Sequence, residues 1–159
     1  MTRTIVIAVT AAVFAGLAAI PASAVPPAPI KVAGTQATVD YAHGKFAMRG
    51  SLVGAWQVTG GNATYASASA QRVEGTVLFT GCLDSNRNKK CEDGEPAGTM
   101  RVRYFGFFET NPVTKAFLRA TSLEAISGGA GGFSHARGVL AFDHHASGIS
   151  NYRGELQLG

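Results

Sequence analysis

The densest run of oxygen-bearing side chains is Asp84-Ser85-Asn86-Arg87-Asn88-Lys89-Lys90-Cys91-Glu92-Asp93-Gly94-Glu95. Counted from Asp84, carboxylate or amide oxygens fall at positions one, three, five, nine and twelve, on Asp84, Asn86, Asn88, Glu92 and Glu95. Lys90, at position seven, offers its carbonyl. This is the spacing of an EF-hand-type calcium loop, in which alternate residues turn inward on one hard cation and the twelfth can bind through both oxygens. Three features oppose it. Lys89 stands at position six, where glycine normally permits the sharp turn, at roughly 1 kcal/mol of backbone strain. Arg87, Lys89 and Lys90 offset most of the negative charge, and the flanks read as strands rather than helices. The competing reading is a disulfide-tied hairpin loop with solvated charges. Bound Ca2+ would be structural and weak, with a dissociation constant on the order of 0.1–1 mM. No other cofactor is called for.

A second constellation is the charge carried inside strand-like segments: Arg101, Arg103, Glu109, Arg119, Glu124 and Arg153. Arg101, Arg103 and Glu109 share one parity of Gly98–Thr110 with Phe105 and Phe107. An interior with aromatic bulk and a few ionic groups is what a small-ligand pocket needs. Arg101, Arg103, Phe105, Phe107, Glu109, Arg119 and Glu124 are therefore the candidate ligand-binding residues. The alternative sends these charges outward on solvated strands, and alternation by itself does not say which parity faces inward. His144 and His145 follow a strand beside Asp143. Adjacent residues of an extended chain point to opposite faces, so the two histidines do not chelate together and read as surface turn residues. No G-x-S-x-G nucleophile elbow occurs.

The elements that position these groups are short strands. Glycine is abundant, at 20 residues, and charge is sparse, at 15%; helical spacing is rare and period-two alternation frequent. Strands are expected at Ser51–Thr59, Gly75–Cys82, Gly98–Thr110, Phe117–Ile126, Ala136–Asp143 and Tyr152–Leu158, with a weaker one across Asn62–Val73. Gly60-Gly61-Asn62 and Asn111–Lys115 read as turns. Six or seven antiparallel strands joined by turns remove their edges by closing into a barrel or a sandwich. Gly98–Thr110 is apolar on both parities. One face fills an interior, and the other calls for a thick core, the N-terminal arm or a second subunit.

The first 24 residues carry Arg3, an apolar stretch and Ala22-Ser23-Ala24, the three parts of a cleavable signal peptide. Residues 25–34 read as a Pro-rich linker and 35–159 as one domain, with a disulfide-tied loop at 82–97. Cys82 and Cys91 are the only cysteines. In an exported chain they read as a disulfide. The chain is therefore expected to be secreted, with no membrane partner once the signal is cleaved. The formal charge is +4, but the longest basic run is the pair Lys89-Lys90. That argues against a nucleic-acid partner.

The segment Gly128-Gly129-Ala130-Gly131-Gly132-Phe133-Ser134-His135-Ala136-Arg137-Gly138-Val139-Leu140 resembles the G-G-x-G-x-F-x-x-A-R-G signature of dirigent proteins and allene-oxide-cyclase-like barrels. Tyr152-Arg153-Gly154 and the strands at Gly75 and Gly98 fit the same layout, over roughly Ser51 to Leu158. The resemblance implies an all-β fold: a closed antiparallel barrel of about eight strands with an apolar-lined cavity, often trimeric. It implies a protein that holds a reactive small molecule in one conformation, steering its chemistry by orientation. No catalytic residue of the plant proteins aligns to a specific position here, so none is carried over. Three expectations follow: a secreted barrel binding a small apolar ligand, an isomerase of the allene-oxide-cyclase type, or a non-catalytic extracellular structural or interaction module.

Overall fold

The computed structural model describes residues 27–159. The signal-peptide reading of residues 1–24, and the first residues of the expected linker, lie outside that range.

Eight strands follow one another: β1 Ile30–Asp40, β2 Lys45–Gly50, β3 Leu52–Tyr65, β4 Ala70–Leu83, β5 Ala97–Thr110, β6 Phe117–Gly131, β7 Arg137–His145 and β8 Ile149–Gln157. Each pairs antiparallel with the next, and β8 pairs with β1 to close a barrel. Closure leaves no unpaired edge. Two strands, β1 and β2, are ones the sequence pattern did not bring out. β1 occupies part of the expected linker, because Ile30–Gly34 pairs with Tyr152–Leu156. Gly60-Gly61-Asn62 is not a turn: it continues β3 past a bulge between Val58 and Gly60, and the chain reverses after Tyr65.

Alternation sends one parity of every strand inward. Trp56, Phe79, Phe133, Met48, Leu52, Met100, Leu140, Leu156 and Val102 are almost wholly buried. Trp56 packs at 6.0 Å from Phe79 and 5.5 Å from Phe142, while Phe133 meets Phe79 edge-on at 6.0 Å. Phe133 comes from the loop after β6, so the glycine-rich segment serves as a plug for this end of the barrel. Its glycines let the strands approach closely: a Cβ on Gly131 would run into the backbone of Ala97 and Gly98.

Two inward tyrosines lie across glycines of neighbouring strands. Tyr152 covers Gly34, and its hydroxyl accepts from the Leu52 backbone N–H at 2.8 Å. Tyr104 covers Gly75 and Gly61, with which it is in register. A side chain at any of these glycines would displace the ring.

The exterior parity carries charge, including Lys31, Arg49, Arg72, Arg103 and Glu155, all exposed. Among the described residues no helix is long and apolar enough to cross a membrane.

Candidate functional site

The interior is not uniformly apolar. At the end of the tight hairpins, inward positions of five strands bring polar groups together. Gln36 on β1 is in register with Ser150 on β8, and Ser150 with His144 on β7. Further along the barrel Tyr104 on β5 faces Glu124 on β6. Ser122 lies two residues before Glu124, and so on the same face.

All of these groups except Ser150 border a cavity of about 90 Å³. Its polar members are Gln36, Tyr104, Ser122, Glu124 and His144, and its walls are Phe46, Trp56, Val58, Val73, Val77 and Phe108. Phe46, Val58, Tyr104, Phe108 and His144 are half-buried and form the rim toward solvent.

The polar groups form a connected chain. The Ser122 hydroxyl donates to Glu124 Oε1 at 3.1 Å and lies 3.2 Å from His144 Nε2. His144 Nδ1 lies 2.8 Å from the Ser150 hydroxyl. The imidazole is stacked on Phe142, with ring centres 5.6 Å apart. Glu124 is 4% exposed. Its second oxygen, Oε2, is the one buried side-chain polar atom among the described residues without a hydrogen-bond partner. An orphan of that kind carries a real penalty in low dielectric, and the carboxyl responds by holding its proton. Burial pushes Glu124 from 4.5 up to about 8, with the Ser122 hydrogen bond pulling weakly the other way. Burial pushes the Tyr104 phenol up, and the neighbouring Glu124 adds to it. Burial pushes His144 down, against a smaller upward pull from Asp143. At neutral pH the site therefore holds a neutral acid and a neutral imidazole joined through one hydroxyl, beside a neutral phenol.

Of the seven candidate ligand-binding residues, only Glu124 faces this cavity. The inward parity of β5 is Met100, Val102, Tyr104, Gly106 and Phe108. Arg101, Arg103, Phe105 and Phe107 are exposed on the outer surface, which corrects the expectation that they line the interior. The reason is register: Tyr104 and Gly106 face Glu124 and Ser122, whereas Phe105 faces the exposed Leu123. Phe105 and Phe107 pack edge-on against each other at 5.5 Å, and the Arg72 guanidinium lies 5.1 Å over the Phe105 ring. Glu109 and Arg119, also outside the cavity, form a two-pronged cross-strand ion pair with both contacts at 2.9 Å. The Arg119 hydrogen bond holds the Glu109 carboxyl below its ordinary value. His144 is corrected in the opposite sense, from surface turn to interior strand. The parity Ala120, Ser122, Glu124, Ile126 held the signal for β6, but the opposite parity, with Leu123 and Ala125, is equally apolar.

The loop after β4 folds around Asp84, which is buried. Asp84 accepts the backbone N–H of Asn88 at 3.1 Å and of Lys89 at 2.6 Å. Asn86 and Asn88 each accept from the N–H two residues on, at 3.0 and 2.9 Å. Glu95 accepts from Ser85 at 2.8 Å and Glu92 at 3.1 Å, and the Asn86 amide donates to Glu92 at 2.8 Å. Lys89 has a φ of 69°, so position six takes the left-handed turn despite its side chain. Cys82 and Cys91 are joined in a disulfide. Among the described residues no three His, Cys, Asp or Glu side chains converge as metal ligands. Asn86, Asn88 and the Lys90 carbonyl lie outside that chemistry and remain the oxygens of the expected set.

No protein-family model, no curated protein and no solved structure matches this chain.

Proposed function

We propose that this chain is a secreted barrel that binds a small, largely apolar molecule in the cavity at its hairpin end and orients it there. The observation that carries the reading is the cavity of about 90 Å³, walled by aromatic and aliphatic side chains and bordered by Glu124, a buried residue whose Oε2 has no hydrogen-bond partner. Apolar walls with a few convergent polar groups are the general form of a small-molecule site. The volume is well below the roughly 300–1,000 Å³ of drug-sized pockets, so the occupant is compact, or is the end of a longer molecule. The charged exterior suits a barrel surrounded by water: a lipid-facing barrel alternates the other way, apolar outside. The disulfide suits an oxidising compartment. The dirigent and allene-oxide-cyclase resemblance points to the same kind of protein.

The test is a panel of small ketones, phenols and hydrocarbons followed by NMR shifts of the Trp56 indole and the Ser122 and His144 amides. Shifts confined to these groups support the reading. A panel that moves none of them rejects it.

The Glu124–Ser122–His144 chain favours a second reading, an isomerase of the allene-oxide-cyclase type, because it supplies an ionisable pair coupled inside the cavity. The packed opposite end favours the third, a non-catalytic extracellular module. The exposed face of Phe105, Phe107, Leu123 and Val139 supports self-association, with a trimer the form the resemblance implies; light scattering reads its size. For the loop we propose weak, structural Ca2+ binding, supported by the left-handed Lys89 and the buried Asp84. Calorimetry at millimolar calcium tests it.

A further inference from the structure

We infer that the four hairpins around the cavity mouth dock on a lipid surface, with their apolar tips entering the headgroup layer and the barrel standing outside it in water. Docking of this kind needs no small molecule in the cavity.

Exposed apolar side chains are segregated to this end of the barrel. The four most exposed large hydrophobic residues among those described are Val39 at 67%, Tyr41 at 72%, Tyr65 at 75% and Val113 at 86%. They belong to the β1–β2, β3–β4 and β5–β6 hairpins. Leu118 and Ile149, each at 50%, add to the β5–β6 hairpin and bring in β7–β8. Consecutive strands run antiparallel, so these four turns lie together at one end. Among the described residues, the connections at the other end, residues 51, 84–96 and 132–136, carry no exposed large hydrophobic side chain. That end presents Arg87, Lys89, Lys90, Glu92 and Asp93 instead.

Local hydrogen bonds hold the tips in place without tertiary packing. Asn111 Oδ1 accepts the N–H groups of Val113 and Thr114 at 2.9 and 3.0 Å, and Asp40 Oδ1 accepts that of His43 at 3.2 Å. Apolar side chains held out in this way leave water only against a partner.

The separation of the tips selects that partner. They stand on separate loops, with small neutral residues such as Ala66-Ser67-Ala68-Ser69 and Ala146-Ser147 between them. A protein partner needs a continuous, complementary surface, whereas a fluid headgroup layer closes around each tip. Tyrosine, an apolar ring with a polar end, suits that layer. The charges near the tips point the same way. Each carboxylate there lies against a basic side chain: Asp40 with His43 at 2.7 Å, Glu109 with Arg119 at 2.9 Å and Asp143 with His145 at 3.8 Å. Lys45 and Lys115 have no carboxylate partner among the described residues. The charge left over is cationic and complements anionic headgroups.

The test is co-flotation of the secreted chain with phosphatidylcholine vesicles, with and without phosphatidylglycerol. Wild type should float with both. It should bind the anionic vesicles more tightly, by about fivefold for each lysine that meets the headgroups. Tyr41→Ser, Tyr65→Ser and Val113→Ser combined should weaken the partition at least about tenfold. In wild type, a nitroxide-labelled lipid should broaden the NMR signals of the four hairpin turns and leave those of residues 84–96 sharp, a readout that needs no variant to fold.

Wild type that floats with neither vesicle overturns the inference, and so does broadening centred on residues 84–96 or on the barrel wall. A serine variant that binds as tightly as wild type does the same. If wild type ignores vesicles and the serine substitutions instead dissociate an assembly seen by light scattering, a second copy covers the tips and the lipid reading falls. Small-molecule binding by a chain that ignores vesicles leaves the ligand site standing without the docking surface.

Discussion

Replacing Glu124 by glutamine removes one proton equilibrium and almost nothing else, since the amide keeps both the volume and the acceptor that Ser122 uses. Glu124 is 4% exposed, and its carboxyl is pushed from 4.5 up to about 8. Below pH 4.5 the group is protonated in folded and unfolded chains alike, and contributes no pH dependence. Between 4.5 and about 8 the unfolded chain releases the proton while the folded one retains it. Rising pH then favours unfolding, by about 1.4 kcal/mol per unit. Above about 8 both states are ionised and the accumulated cost levels off at roughly 5 kcal/mol over the 3.5 units between the two values. That is a large share of the roughly 5–15 kcal/mol that holds a domain folded. The assay is urea unfolding followed by Trp56 fluorescence at half-unit steps from pH 5 to 9, on wild type and Glu124→Gln with the disulfide intact. His144, pushed down by burial, weakens the fold as pH falls below its ordinary 6.5, but both proteins carry it and the difference cancels. The stability gap should widen with pH in favour of glutamine and flatten near pH 8. A gap that does not change across the range refutes the buried neutral acid.

Three further changes probe what holds the site in shape. Tyr152→Phe leaves the buried Leu52 N–H without its acceptor and should cost about 1–3 kcal/mol in the same unfolding assay. Gly34→Ala drives a methyl group into the Arg49 carbonyl and the Tyr152 hydroxyl; overpacking of this kind should cost at least about 1–3 kcal/mol, read as a lower melting temperature. Reduction of Cys82–Cys91 opens a loop spanning a sequence separation of 9 and should remove up to about 2.5 kcal/mol in the chain-entropy model, measured as the shift of the urea midpoint with reductant.

Much of the architecture was legible in the residues. Period-two alternation, glycine at the corners and sparse charge call for antiparallel strands that close on themselves, and the glycine-rich segment before Phe133 agrees with a barrel. The paired cysteines were equally plain. Strands β1 and β2 were not, because Thr35, Gln36 and Thr38 dilute the alternation and the prolines before Ile30 suggest a linker. Gly60-Gly61 looked like a turn because glycine marks both chain reversals and strands crossed closely by a ring, and only Tyr104 on another strand tells the two apart.

Local sequence thus determined that the chain makes a twisted, closed sheet, since alternation and turn chemistry act between near neighbours. It did not determine which side is inside. β5 has aromatics on both parities, and a slip of one residue exchanges Phe105 and Phe107 for Tyr104 and Phe108. Register across four interfaces, from β5·β6 round to β8·β1, made that choice, and it turned Glu124, Ser122, His144, Ser150 and Gln36 toward a common point. Those residues come from four strands separated by up to more than a hundred positions, so their meeting is a property of barrel closure and not of any segment read alone.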